Sequence, residues 1–424
     1  MKIITPLIIL MFFSLLSYGQ IDQVSQGDGY RSSVYYSLST GESTSVDYQQ
    51  WDIAFQVSSR GLAVAINEAA SSATDALPPV ALYSSSVNDF DAVLDTSHIL
   101  DQLYNGGSSW SEGAFNSLTD TADVFDFGWG SYNPASHDVI GSRVFIVKLR
   151  NGEYRKCMID LLRGSKYYFR YGDLESQNIV VDSIDKSDFE NKQFAYYSLQ
   201  NQQVLDLEPE DWDLKFTRYN TPLDDGQGGI LDYNVTGVLL RGELEAIKVT
   251  GVDPATVPYS DYEDQWSSNI ETIGHEWKSF SLSTFQYEVA DDQVYFIKTA
   301  NDSIYRLQFI DFEGSSTGIS TFQKTYETVL ASYLERPSYI NEFKLYPNPI
   351  LQGRDLNGII SSTKTVKEAE VSLYNVLGQR LFHQSLSLQV GDNPYVLPSN
   401  FQPGLYHLVL SMDGSAFSKK LIIQ

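Results

Sequence analysis

Few side chains of this 424-residue chain stand in patterns that perform covalent chemistry. The one cysteine, Cys157, lies in a strand-like run with no histidine nearby in sequence to activate it. The expected role is that of a small buried hydrophobe, and a single thiol permits no intrachain disulfide. Adjacent carboxylates occur at Asp224-Asp225 and Asp291-Asp292, where loop tips leave them as solvated charge. Asp224-Asp225-Gly226 opens like a calcium loop but lacks the further spaced oxygen donors that such a loop needs. The sequence carries no serine-nucleophile motif, zinc motif or phosphate loop, so an enzyme is not expected. Beyond residue 19, the imidazoles and thioethers are His98, His137, His275, His383, His407, Met158 and Met412.

The elements that would position such residues come in a duplicated set. Tyr35-Tyr36-Ser37-Leu38 is followed by Trp51-Asp52-Ile53-Ala54-Phe55, and Tyr196-Tyr197-Ser198-Leu199 by Trp212-Asp213-Leu214-Lys215-Phe216. In both copies the first tyrosine precedes the tryptophan by 16 positions. A fixed spacing between matched blocks marks an internal repeat. Aromatic and β-branched runs bounded by polar turns predict strands, with each tryptophan entering a core. A second block also matches. Val144-Phe145-Ile146-Val147-Lys148, a turn at Asn151-Gly152 and Tyr154-Arg155 correspond to Val294-Tyr295-Phe296-Ile297-Lys298, a turn at Asn301-Asp302 and Tyr305-Arg306. Asn-Gly and Asn-Asp tolerate the positive φ of tight hairpin turns. The copies are expected over 20–190 and 191–337, each opening on a strand pair and closing on a hairpin and a further strand.

The middles of the copies differ. Residues 62–70 predict a short helix, and 90–104 a second one with Asp89 as its N-cap. Phe125, Phe127 and Trp129 alternate with period two, which predicts an aromatic strand turned by Asn133-Pro134-Ala135-Ser136. Residues 341–424 alternate between apolar runs and Gly or Asn turns, the pattern of a small β-sandwich. The predicted class is all-β: two tandem β-rich domains and a C-terminal sandwich.

Hydrophobic residues make up 42% of the chain, so packed cores rather than disorder are expected, and the 28 tyrosines suit half-buried sheet. A net charge of -25 argues against binding a nucleic-acid backbone. It argues equally against docking on anionic membranes. Residues 1–19 read as a signal peptide: Lys2, an apolar run to Leu16, then small residues at Ser17 and Gly19. No later stretch is long and apolar enough to cross a bilayer as a helix. The expected mature protein is exported, soluble and without a transmembrane segment.

The C-terminal region resembles the type A sorting domain of the type IX secretion system of Bacteroidetes. The matching residues are Leu345-Tyr346-Pro347-Asn348-Pro349, Leu373-Tyr374-Asn375 with Gly378-Gln379, Gly404-Leu405-Tyr406, and the basic-then-apolar end from Lys419 to Gln424. The resemblance implies the type IX machinery as a partner and a secreted or outer cell-surface location.

The repeats resemble the HmuY-like family of haem-binding proteins. The second copy carries the match in Trp212-Asp213-Leu214-Lys215-Phe216-Thr217-Arg218-Tyr219, Val235-Thr236-Gly237-Val238-Leu239 and Val294 to Thr299; the first keeps the tryptophan block and the later hairpin. The resemblance implies an all-β fold and haem held between two axial His or Met side chains. His383, His407 and Met412 fall in the sorting region, and Met158 falls in a closing hairpin. His98 and His137 remain in the first copy as candidate haem-iron ligands, both in irregular segments with aromatics nearby. The second copy offers His275 alone.

The expected function is therefore a secreted or cell-surface, non-enzymatic binding protein that takes haem through its first repeat. One alternative is a structural or adhesive surface protein with the same fold and no haem site. Another is a carbohydrate binder using exposed Trp110, Trp266 and Trp277.

Overall fold

The structure is a computed structural model that describes residues 19–58, 61–72, 76–327, 339–354, 356–375, 380–398, 401–412 and 415–424. Of the expected signal peptide, 1–18 lie outside the described residues. Two compact units result, Ile21–Lys324 and a second made of Thr325–Gln424 together with the chain up to Gln20. The protein is all-β, and no helix reaches seven residues among those described.

In the first unit the duplicated strands do not stay with their own copy. The strand Ser32–Tyr36 joins the second copy, where Tyr36, Tyr35 and Val34 lie opposite Leu214, Lys215 and Phe216. In return, Phe194–Ser198 joins the first copy, with Tyr197 opposite Ile53 and Tyr196 opposite Ala54. Two four-stranded sheets result. One runs Ile230–Leu240, Leu214–Asp224, Ser32–Tyr36, Ser43–Asp47; the other runs Gln203–Leu205, Phe194–Ser198, Ile53–Gln56, Val64–Ile66. The strand that opens the chain is exchanged as well, whereas the one after Lys166–Gly172 stays beside it. Gln20–Ser25 pairs with Ile319–Glu327, and Val180–Asp185 with Lys166–Gly172.

The repeated residues are those that lock this exchange. Asp213 accepts a hydrogen bond from the Leu38 N–H at 2.7 Å and donates its own N–H to the Tyr36 carbonyl at 2.9 Å. Asp52 does the same with the Leu199 N–H at 2.7 Å and the Tyr197 carbonyl at 2.9 Å. Burial raises the pKa of both carboxyls, and the backbone donors oppose that rise. Trp212 meets Tyr35 edge-on at 5.0 Å, and Trp51 meets Tyr196 at 4.8 Å. The Tyr35 and Tyr196 hydroxyls are hydrogen-bonded at 2.5 Å. On the opposite faces Phe55 packs on Tyr167 and Phe169 in the first copy, and Phe216 on Phe309 and Phe322 in the second.

The closing hairpins form as the turn residues predict. Phe145–Lys148 pairs with Tyr154–Arg163 and Gln293–Lys298 with Ile304–Phe312, with Gly152 and Asp302 at positive φ. The middles depart from expectation. Residues 62–70 contain the strand Val64–Ile66, because pairing with Ile53–Gln56 outweighs the local preference of the alanines for helix. Residues 90–104 are not helical. Asp89 caps a turn at Asp91, Asp95 caps a 3-10 turn at Thr96–His98, and Ile99–Leu103 pairs with Ala81–Ser85. The aromatic run at 125–129 is a turn held by Asp126, which accepts from the Gly128 N–H and from Arg143; the strand begins at Gly130. Gly128 takes φ +83, and alternation does not survive such a bend.

The C-terminal unit is a sandwich. Ile340–Tyr346, Leu356–Ser362 and Gly391–Leu397 form one sheet; Arg380–Leu388, Val366–Asn375, Gly404–Met412 and Ser415–Ile423 form the other. Phe343, Ile360, Val371, Leu373, Leu408 and Leu410 fill the core between them. Gly378-Gln379 lies outside the described residues.

Candidate functional site

The exchange leaves a cavity where the copies face each other. Along the strand Leu214–Asp224, Phe216 points into the second copy's core, so Lys215, Thr217 and Tyr219 point the other way and line the cavity. Trp51, Ala54, Phe194 and Tyr196 of the opposite sheet line it too. Ser32–Tyr36 pairs with this strand only as far as Phe216, so the backbone beyond needs other partners. The Arg218 N–H donates to the Tyr48 hydroxyl at 3.0 Å, and the Asn220 N–H to Glu68 at 2.9 Å. Two loops meet beside the cavity, where the Ile270 N–H donates to the Ser108 carbonyl at 3.2 Å. Gly107 leaves room for Glu271 there, since a Cβ would lie 1.7 Å from Oε1 and displace the carboxyl. The cavity measures about 80 Å³, room for a small molecule rather than one water.

Lys215 is the unusual residue in this cavity. It is 8% exposed. Its Nζ lies 5.0 Å from the Tyr35 ring centre, 5.4 Å from that of Trp110 and 6.0 Å from that of Trp51. Among the described residues no acceptor lies within hydrogen-bond distance of it. The carboxylate that acts on it most, Glu208, is occupied by the Gln193 and Phe194 N–H groups at 2.7 and 3.1 Å and by Trp212 Nε1 at 3.0 Å. Burial pushes the ammonium down to about 8, against the upward pull of Glu208. The equivalent residue in the first copy is Ala54, whose small side chain leaves space facing Lys215. Elsewhere in the lining, burial pushes Glu68 and Glu271 up to about 7. Glu271 Oε2 accepts from the Thr221 hydroxyl at 3.2 Å. The arrangement can hold an acceptor group against a caged ammonium and offer carboxyl oxygens to donors further along.

Sequence reasoning passed over Lys215, although the signal was present. It is the one change from a small residue to a charged one between the two Trp-Asp-x-x-Phe blocks, at a strand position alternating with a core phenylalanine. The residues that were singled out lie elsewhere. His98 ends the 3-10 turn Thr96–His98, and its Nδ1 accepts the Asp95 N–H at 3.1 Å in a capping box. The same nitrogen lies 3.2 Å from Asp95 Oδ1, so the turn engages the ring through Nδ1. His137 is exposed in the turn after Gly130–Asn133, at φ +60, with Nδ1 2.7 Å from the Tyr132 hydroxyl. Strand pairing keeps the two apart. His98 sits beside the Ser85 end of one strand, and His137 lies past Val139, which pairs with Leu162 near the far end of another. Strand rise and spacing separate them by roughly 20 Å. Neither histidine lines the cavity. Met158 packs against the Phe90 and Leu94 cluster. Cys157 is buried, and burial pushes its thiol up.

The tryptophans expected to be exposed form no open row. Trp277 is 2% exposed and stacks on Phe309 at 3.9 Å. Trp110 donates Nε1 to the Leu240 carbonyl at 2.8 Å, and Trp266 packs on the Phe296 cluster. The acidic tip is also engaged, with Asp224 and Asp225 accepting backbone N–H groups of their own turn.

Comparison with known families assigns the first unit. Residues 29–167 and 170–324 match the model of the HmuY protein family. The chain belongs to that family. Residues 344–424 match the secretion system C-terminal sorting domain, so this HmuY-family protein is secreted or displayed on the outer cell surface, and its tail is handled by the type IX system. No match was found among curated proteins. Solved structures give distant likenesses. A putative lipoprotein from Bacteroides fragilis is 14% identical, with TM-score 0.17 over 46% of this chain and 94% of that one. Apo PinO from Porphyromonas gingivitis is 13% identical, with TM-score 0.14 over 42% and 87%. Likenesses this weak carry no argument.

Haem is the ligand associated with the HmuY family in general. The residues present here do not fit a haem held between two axial side chains. His98 and His137 sit on separate turns, and among the described residues no His or Met lines the cavity.

Proposed function

We propose that this protein is a non-enzymatic binding protein, outside the cell or on its surface, that captures a small ligand in the cavity between its two copies. The observation that carries this reading is the caged ammonium of Lys215, buried in a cavity wall without an acceptor. Proteins leave such a group unpaired at a cost unless a ligand completes it. A thermal-shift screen of small molecules against the whole protein tests the reading. The expected result is a saturable rise in Tm that disappears in Ala54→Phe, which fills the space facing Lys215. A rise that persists undiminished in Ala54→Phe would move the ligand elsewhere.

The second reading is haem capture. It rests on the family and on His137, whose Nδ1 contact with Tyr132 leaves Nε2 on the exposed side. Haem titration read at the Soret band, beside a His98→Ala, His137→Ala double variant, decides between the readings. A saturable band lost in the double variant would replace the cavity as the binding site.

A further inference from the structure

The cavity's polar groups are placed unevenly, and that unevenness defines a ligand class. The inference rests on the cavity reading above. Lys215 presents three N–H donors and no acceptor, so whatever completes it must bring acceptors and preferably a negative charge. Three aromatic rings flank the ammonium, so its acceptor must come from the side they leave open. Farther along the same cavity the groups reverse. Glu271 Oε2 accepts from Thr221, the Tyr219 hydroxyl also acts on this carboxyl, and Oε1 lies against Gly107. Glu68 Oε1 and Oε2 are taken by the Asn220 and Asn105 N–H groups. Glu112 also lines this part. Carboxyls here disfavour a polyanion, because each further negative charge would meet a like charge in a poorly solvated space.

We propose that the cavity binds a small monocarboxylate whose carboxylate pairs with Lys215 and whose body carries hydroxyl or ammonium donors toward Glu271. A buried ammonium and a carboxylate make a charge-assisted hydrogen bond, and the aromatic cage excludes the water that would weaken it. The Glu271 carboxyl, whose remaining lone pairs accept from a ligand donor, then selects against purely aliphatic acids. Amino acids and sugar acids share this chemistry at a size the cavity admits.

The test is titration of the whole protein with L-alanine and with D-glucuronate, read by tryptophan fluorescence, since Trp51 and Trp110 flank the ammonium. L-alanine amide and D-glucose serve as counterparts without the carboxylate. The expected result is saturable binding of one carboxylate, with its counterpart weaker by about ten- to a hundredfold. Lys215→Met should lose the same factor while Tm is held or raised. The counterpart comparison uses the unaltered protein, so it stands even if the variant does not fold. Equal affinity for carboxylate and counterpart overturns the inference, and so does failure of both carboxylates to saturate. If an uncharged molecule binds and Ala54→Phe abolishes that binding, the cavity reading survives and only the carboxylate inference falls.

Discussion

The two Trp-Asp blocks are near-copies in sequence and unequal in use. At Asp52 and Asp213 both make the same pair of backbone hydrogen bonds, to within a tenth of an ångström. Two positions further along each strand, one block has Ala54 and the other Lys215. The matched residues hold each hairpin in the other copy's sheet, so any change there is felt on both sides of the exchange. The unmatched pair faces the cavity between them. Duplication thus gave a symmetric frame, and the copies differ at one inward position, where Lys215 faces the cavity.

The largest test of this comparison removes the frame. Trp212→Ala and Trp51→Ala should each lower stability by roughly 3–5 kcal/mol, the usual cost of emptying a buried aromatic site. Trp212 should cost more. It is 2% exposed against 8% for Trp51, and its Nε1 bonds the buried Glu208 carboxylate. Denaturant midpoints of both variants check this. Equal losses would mean that the surroundings of the two tryptophans are as symmetric as the sequence block.

Lys215 sharpens the same comparison from the other side. Its ammonium is pushed down to about 8 from 10.5, so below pH 8 both folded and unfolded chains carry the charge and the folded state bears the full penalty. As pH rises from 8 to 10.5 the folded protein releases its proton first, and stability increases by about 3 kcal/mol at most. The three aromatic faces return part of that penalty. Lys215→Met should therefore be more stable than the parent at pH 7, and the gap should close as pH approaches 10.5. Lys278 and Lys186, pushed down to about 7 and about 8, titrate in both proteins, so the difference between the two curves isolates Lys215. A gap that does not change with pH would show that the ammonium pays nothing for burial.

The sequence made the strands legible because alternation and turn residues are local. Tyr35, Trp51 and the Asn151-Gly152 turn specify their own conformations. The partner of each strand was not legible, because two near-identical hairpins satisfy the same local rules with either copy. Only tertiary packing selects the exchange. The 90–104 segment misled because Phe90 and Leu94 are buried at a spacing that also suits a helix, while Ile99 and Leu103 belong to a strand. His98 drew attention as a metal donor, yet Asp95-Thr96-Ser97-His98 has the spacing of a capping box, and that is its role. The site escaped notice because a lysine in an apolar block reads as a surface residue until its strand's partners are known.

The finest test lies at the contact between the copies. Tyr35 and Tyr196 occupy matched positions and meet each other, each beside the tryptophan of the opposite copy. Both phenols are fully buried, and burial raises the pKa of each. Each hydroxyl is thus the other's partner in a place where water does not substitute. Tyr35→Phe or Tyr196→Phe alone strands the remaining hydroxyl, which costs roughly 1–3 kcal/mol. The double variant strands none and should recover most of that, leaving a coupling of about 1 kcal/mol. Denaturant melts of the four proteins give the cycle. Additive losses would mean that the hydroxyls act independently, and the symmetry of the pair would then lie in the rings alone. A recovery in the double variant would show that duplication built a contact which neither copy can satisfy by itself.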